Sequence, residues 1–244
     1  MTSIKNISGV GAPSRNMMRL HDTTYSPTGL WQFTSGSIGT DAVGSFNLTQ
    51  DSTHGAPTEV GGYIPNTQAL QDFIYYRNNS SDLEYTGAMS FAIMFKATAY
   101  SWGTGSGDNY YRVMVKDRGG DTDGRYDLVF TPTGHIYYAH KNGGTPYSIA
   151  LDKLHYDLYR WHHLAFTRTT NGRTITIYLD GVQIHQSTLA SGPGTTGTTY
   201  FNLGGMNGYN GSAYDNLTLS SAVIFDKELT AAQIAHLAGH CLGF

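Results

Sequence analysis

Glycoside hydrolysis needs two carboxyl groups flanking the scissile bond, one kept protonated as an acid and one ionised. The chain has only three glutamates, Glu59, Glu84 and Glu228, and no strand-like run carries two acidic residues. Asp121 and Asp123 alternate, but Gly120 and Gly124 enclose them in an evident turn. Nucleophilic catalysis fares no better, because no Gly-x-Ser-x-Gly elbow occurs. His162 and His163 are adjacent, and successive strand residues point to opposite faces, so they cannot hold one ion between them. One packed and one solvated ring is the expectation. Residues 192–197, GPGTTG, satisfy a dinucleotide glycine pattern in letters only, since Pro193 breaks the context of strand, turn and helix that it needs. Together these residues predict a chain without catalysis.

Recognition has better material. A sugar is held by an aromatic plane stacked on its apolar face, with amide and carboxylate groups on its hydroxyls. Two Gly-rich loops offer that combination: Trp102 with Asp108 and Asn109 in TAYSWGTGSGDNYY, and Tyr209 with Asn207 and Asn210 in GGMNGYNGSAYDN. These six residues are the candidate ligand contacts.

Rigid elements must carry such loops. Residues 159–186, YRWHHLAFTRTTNGRTITIYLDGVQIHQ, place His162, Leu164 and Phe166 on one face of a strand, and Ile175, Ile177 and Leu179 on one face of the next. Asn171-Gly172 and Asp180-Gly181 are turn dipeptides that tolerate positive φ, so the stretch is an antiparallel meander. Its apolar face needs a second layer to cover it. Further strands are expected from Leu30, Trp31 and Phe33, from residues 73–76, 83–85, 89–97, 111–116, 126–130, 136–139 and 200–203, and from the closing run 216–225. A short helix follows, with Thr230 as cap, Gln233 reaching back, Leu229 stapled onto Ile234 and Gly239 as the stop.

The Trp-His-His start, the Leu-Ala-Phe strand, the polar turn and the Tyr-Leu-Asp-Gly-Val arm resemble the central hairpin of laminin-G-like domains, in the concanavalin A-like lectin/glucanase superfamily. The likeness runs from about residue 28 to 240, ending in the closing strand and Ala-rich helix. It implies an all-β fold: a two-sheet antiparallel jelly-roll sandwich over residues 28–244 with one short C-terminal helix. Residues 1–27 lie outside the likeness and, carrying Gly, Pro, Asn and Ser with little periodicity, read as an irregular arm. It also implies a structural calcium site, with Asp41 as the early ligand and Asp215, at the entry to the closing strand, as its partner.

Composition sets the outer limits. Thirty Gly and eighteen Tyr beside fifteen Lys and Arg suit short strands and tight turns, and a formal charge of −3 without a basic stripe argues against nucleic acid as partner. Cys241 is the single cysteine, which excludes an internal disulfide. No apolar run is long enough for a signal peptide or a membrane span, so membrane insertion is not expected. The resulting expectation is a non-catalytic adhesion module for a cell-surface glycan or receptor, made in the cytoplasm and displayed on a virion surface, such as a phage particle or fibre, or extracellularly. The alternative is a structural decoration protein, docked on capsid or fibre proteins through residues 1–27 and Met17, Met18 and Leu20, or assembled as a homo-oligomer.

Overall fold

The computed structural model describes residues 25–33, 39–50, 64–65, 75–78, 83–98, 111–116, 126–131, 135–143, 145–151, 156–194, 200–204 and 217–243. One sheet takes β1 (Gly29–Gln32), β3 (Ile64–Pro65), β5 (Met89–Ala97), β10 (Trp161–Arg168), β11 (Thr174–Leu179), β12 (Val182–Thr188) and β14 (Leu217–Phe225). Its order is β1-β14-β5-β10-β11-β12, with β3 also on β14. The other takes β2 (Thr49–Gln50), β4 (Tyr75–Asn78), β6 (Tyr111–Lys116), β7 (Tyr126–Phe130), β8 (Ile136–Asn142), β9 (Thr145–Ala150) and β13 (Tyr200–Leu203), in the order β2-β4-β13-β6-β7-β8-β9. The described pairings are antiparallel, as hairpins and long crossovers between two layers produce.

Alternation in the sequence explains the layering. Phe91, Ile93 and Phe95 of β5, Leu164 and Phe166 of β10, and Ile175 and Ile177 of β11 face Phe130, Tyr138, Ile136 and Phe201 of the other sheet. Trp31 stacks on Phe201 with ring centroids 5.2 Å apart, and Tyr138 meets Phe166 at 5.1 Å. Burying one such side chain contributes roughly 1.5–3 kcal/mol, so this inter-sheet layer is the main source of stability.

The first sheet is covered on its outer side as well. The helix α1 (Ala231–Leu242) lays Ile234, Leu237, Cys241 and Leu242 on Ala92, Met94, Trp161, Ala165 and Tyr178. Its start is the expected capping box of Thr230 and Gln233. Its end is not Gly239, which lies inside the helix; Gly243 ends it in the left-handed conformation, φ 78°, donating to the Gly239 carbonyl. Tyr25, at the end of the amino-terminal arm, packs edge-on against His236 of this helix at 5.7 Å. The rest of the arm, including Met17, Met18 and Leu20, lies outside the described residues.

One further expectation changes, and one strand outside the expected set is present. Residues 83–85 are not a strand: Leu83 has φ 55°, which a regular strand excludes. Conversely β9 is present although Pro146 removes a donor there, which is tolerable because β9 is the edge of its sheet.

Candidate functional site

One end of the first sheet gathers the segments that could contact a ligand. β5 leaves the sheet at Ala97, whose register partner Leu217 is where the chain enters β14. Trp161, the first residue of β10, pairs with Lys96 beside it, and the Asp180-Gly181 turn joins β11 to β12 at the same level. Gly-rich segments 99–110 and 205–216 therefore attach at neighbouring points. Trp102, Asp108, Asn109, Asn207, Tyr209, Asn210 and Asp215 themselves lie outside the described residues.

His162 ties this end together. Its Nδ1 is 2.8 Å from Asp180 Oδ2, and its Nε2 is 2.8 Å from the Asp157 carbonyl. Both partners only accept, so both ring nitrogens must donate and the ring is an imidazolium. Burial pulls its pKa down, but the Asp180 carboxylate and the Asp157 carbonyl outweigh burial and hold it above the usual 6.5. Both carboxylate oxygens of Asp180 are engaged, Oδ2 by His162 and Oδ1 by the His163 amide at 2.8 Å, and its own amide donates to the His163 carbonyl at 2.8 Å. Asp180 and Gly181 have φ of 51° and 80°, as a two-residue hairpin turn of this kind requires.

The second turn at this end, 157–160, presents Tyr159. Its φ is 65°, and the ring is 71% exposed. The Tyr159 amide donates to the Ala97 carbonyl at 2.7 Å, and Arg160 lies 3.7 Å from the Asp157 carboxylate. Lys96 places its ammonium 5.3 Å from the Trp161 ring centroid. Sequence reading passed over Tyr159; an aromatic between Asp157 and Arg160, directly ahead of a strand, was the available signal.

The expected split between the histidines does not hold. His162 lies among Phe95 and Tyr156 between the sheets, and His163 is fully buried beneath α1 with no hydrogen-bond partner on either ring nitrogen among the described residues. The helix covers the face that would otherwise have been solvated. Burial, only partly offset by the Asp180 charge, lowers the His163 pKa to about 4, so this ring is neutral.

Asp41 is 6% exposed and organises its loop. Oδ1 accepts from the Leu30 and Val43 amides at 3.0 and 3.1 Å, and Oδ2 from the Phe46 amide at 3.0 Å, while the Asp41 amide donates to Asn47 Oδ1 at 2.9 Å. Amide hydrogens carry positive charge toward the carboxylate, whereas calcium needs a shell of oxygens. These neighbours fit a carboxylate that closes a turn. Among the described residues no three His, Cys, Asp or Glu side chains are grouped to hold a metal.

Catalytic carboxylates are likewise not assembled on the described strands, where Asp127 is the one acidic residue. The sequence does contain two Asp-x-Glu pairs, Asp82 with Glu84 and Asp226 with Glu228. Glu84 lies in irregular chain before β5, and Asp226 and Glu228 lie in the link between β14 and α1. Asp226 and Glu228 share no strand face, and Asp82 lies outside the described residues. A second buried polar chain is structural: Arg168 Nη1 donates to Tyr138 Oη at 3.2 Å, and His140 Nε2 lies 2.8 Å from the Ser191 carbonyl. That carbonyl puts the His140 hydrogen on Nε2 and leaves Nδ1 to accept from Tyr138, 3.4 Å away.

Comparison with known proteins agrees with this architecture. The family model described as the concanavalin A-like lectin/glucanases superfamily, of laminin-G type, matches residues 71–235. No curated protein sequence matches. Among solved structures, the binding domain of botulinum neurotoxin DC in complex with rat synaptotagmin II is similar at a TM-score of 0.61 and 15% identity, over 88% of this chain and 52% of that one. The botulinum neurotoxin serotype G binding domain gives 0.62 and 12%, over 87% and 50%. A structure of botulinum neurotoxin type C, whose cell entry depends on interaction with two ganglioside molecules, gives 0.59 and 16%, over 88% and 51%. The chain spans about half the length of these proteins, and at such identities the likeness is one of fold. With its family matched over most of its length and its two sheets in place, the chain belongs to the concanavalin A-like lectin/glucanase superfamily.

Proposed function

We propose that the protein is a non-catalytic recognition module whose rim, at the end of the first sheet where β5 leaves and β14 enters, contacts a cell-surface glycan or receptor. The observation that carries this reading is the register pairing of Ala97 with Leu217, which sets the attachment points of both Gly-rich segments near the exposed Tyr159 turn; Trp102 and Tyr209 belong to those segments by sequence. Loops on a rigid sandwich are where such folds put their contacts. The similar neurotoxin proteins support it, since one binding domain is seen in complex with rat synaptotagmin II and the cell entry of another depends on two ganglioside molecules. The scarcity of acidic residues on the described strands speaks against hydrolysis. Display on a virion or fibre, with residues 1–27 as the docking segment, belongs to the same proposal; the contact of Tyr25 with His236 supports an arm that reaches the body.

The test is a glycan array and a cell-binding assay with the purified chain and its Trp102→Ala, Tyr209→Ala double variant. Binding by the parent and its loss in the variant are expected. Unchanged binding by the variant would remove those two residues from the site, and no binding to any glycan or cell would leave the structural, decoration role.

A further inference from the structure

Tyr159 presents a cost without a structural return. A bulky side chain at φ 65° is strained, and strain of this kind persists only where the surroundings impose it. Here they do: the Tyr159 amide is pinned to the Ala97 carbonyl, and His162 holds the Asp157 carbonyl on one side and the Asp180 turn on the other. Yet the ring so fixed is 71% exposed, so burial does not offset the strain. Val182, which follows the Asp180 turn, is 64% exposed, and the one other exposed large hydrophobic among the described residues is Val43. Two of three such side chains thus stand on the two turns that His162 bridges.

The flanking charges indicate what the ring receives. Asp157 and Arg160, two positions before and one after Tyr159, are 64% and 47% exposed, and their 3.7 Å ion pair is too long for a hydrogen bond, so a carboxylate acceptor and a guanidinium donor stay open to solvent on the same turn. Their charges cancel, and an anionic ligand would meet the Asp157 carboxylate. We propose that turn 157–160 is a subsite for a neutral hexopyranose, its apolar face on Tyr159, one hydroxyl donating to Asp157 and a neighbouring one accepting from Arg160. This deepens the recognition reading and rests on it.

The experiment is a printed array of neutral and sialylated oligosaccharides, probed with the parent chain, Tyr159→Gly, Asp157→Asn, Arg160→Gln and the Trp102→Ala, Tyr209→Ala double variant. The parent is expected to bind neutral glycans, and Asp157→Asn and Arg160→Gln each to weaken binding several-fold. Tyr159→Gly should lose binding at least tenfold while its Tm rises by about 2–4 °C, because glycine relieves the strain. That opposite movement is what a merely structural tyrosine would not give. Neutral-glycan binding by Tyr159→Gly within twofold of the parent would overturn the subsite and leave the recognition reading standing. Binding only to sialylated glycans would overturn the ligand class, and a parent that binds no glycan would overturn the subsite and the glycan half of the recognition reading, leaving a receptor to the cell-binding assay.

Discussion

At the residue scale, three histidines buried in one sandwich titrate in opposite directions. His163 is lowered to about 4 by burial, and His140 to about 4 by burial against the pull of the Ser191 carbonyl, with Arg168 adding to the lowering. The unfolded chain binds protons at both near 6.5 and the folded chain does not, so stability is present above 6.5 and is lost as pH falls toward 4. For fully buried His163 the separation corresponds to on the order of 3 kcal/mol. His162 acts oppositely: its raised pKa gives stability that is complete below 6.5 and lost as pH rises through its folded pKa. Urea midpoints measured against pH should therefore peak at about 6.5–7.5, with His163→Leu flattening the acid limb and Asp180→Asn the alkaline one. A midpoint that climbs steadily toward pH 4 would contradict these assignments. Asp41→Asn should lower Tm by several degrees, and by the same amount in calcium and in chelator, because it weakens the bonds to the Leu30, Val43 and Phe46 amides. The acidic character of Asp41 and the pairing of the histidines were visible in the sequence. The amides around the one and the helix over the other come from distant chain, which local pattern does not contain.

At the element scale, the meander was legible because its signals are local: Asn171-Gly172 and Asp180-Gly181 sit where positive φ is needed, and the apolar alternation between them pairs β11 with β10 in one register, although its pairing with β12 shifts between Ile177 and Tyr178. Gly172 has φ 72°, and an added Cβ would lie 2.5 Å from the Thr86 carbonyl oxygen, so Gly172→Ala should destabilise by more than ~1 kcal/mol in chemical denaturation. The start of α1 was equally legible, since a capping box is written within four residues; Thr230→Ala should cost about 1 kcal/mol. Its end was not, because Gly239 inside a packed helix looks the same in sequence as a stop, and tertiary burial of Ala238, Cys241 and Leu242 carries the helix past it. Leu237→Ala should cost roughly 2–4 kcal/mol and expose His163, so its ring should titrate nearer 6.5 by NMR.

At the scale of the whole molecule, both faces of the first sheet are occupied, one by the second sheet and one by α1. Contact with another molecule at this sheet then falls to its ends and edges, and the end at Ala97 and Leu217 is where two turns lie and two Gly-rich segments attach. Deleting residues 1–24 should shift Tm by less than a few degrees, whereas deletion through Tyr25 should also remove its contact with His236. The central claim is that the sandwich binds carbohydrate without cutting it. Incubating the purified chain with a panel of soluble and immobilised polysaccharides, while following retention and release of reducing ends in the same samples, tests it most directly. Retention on at least one glycan with no new reducing ends is predicted; steady release of reducing ends would contradict the account.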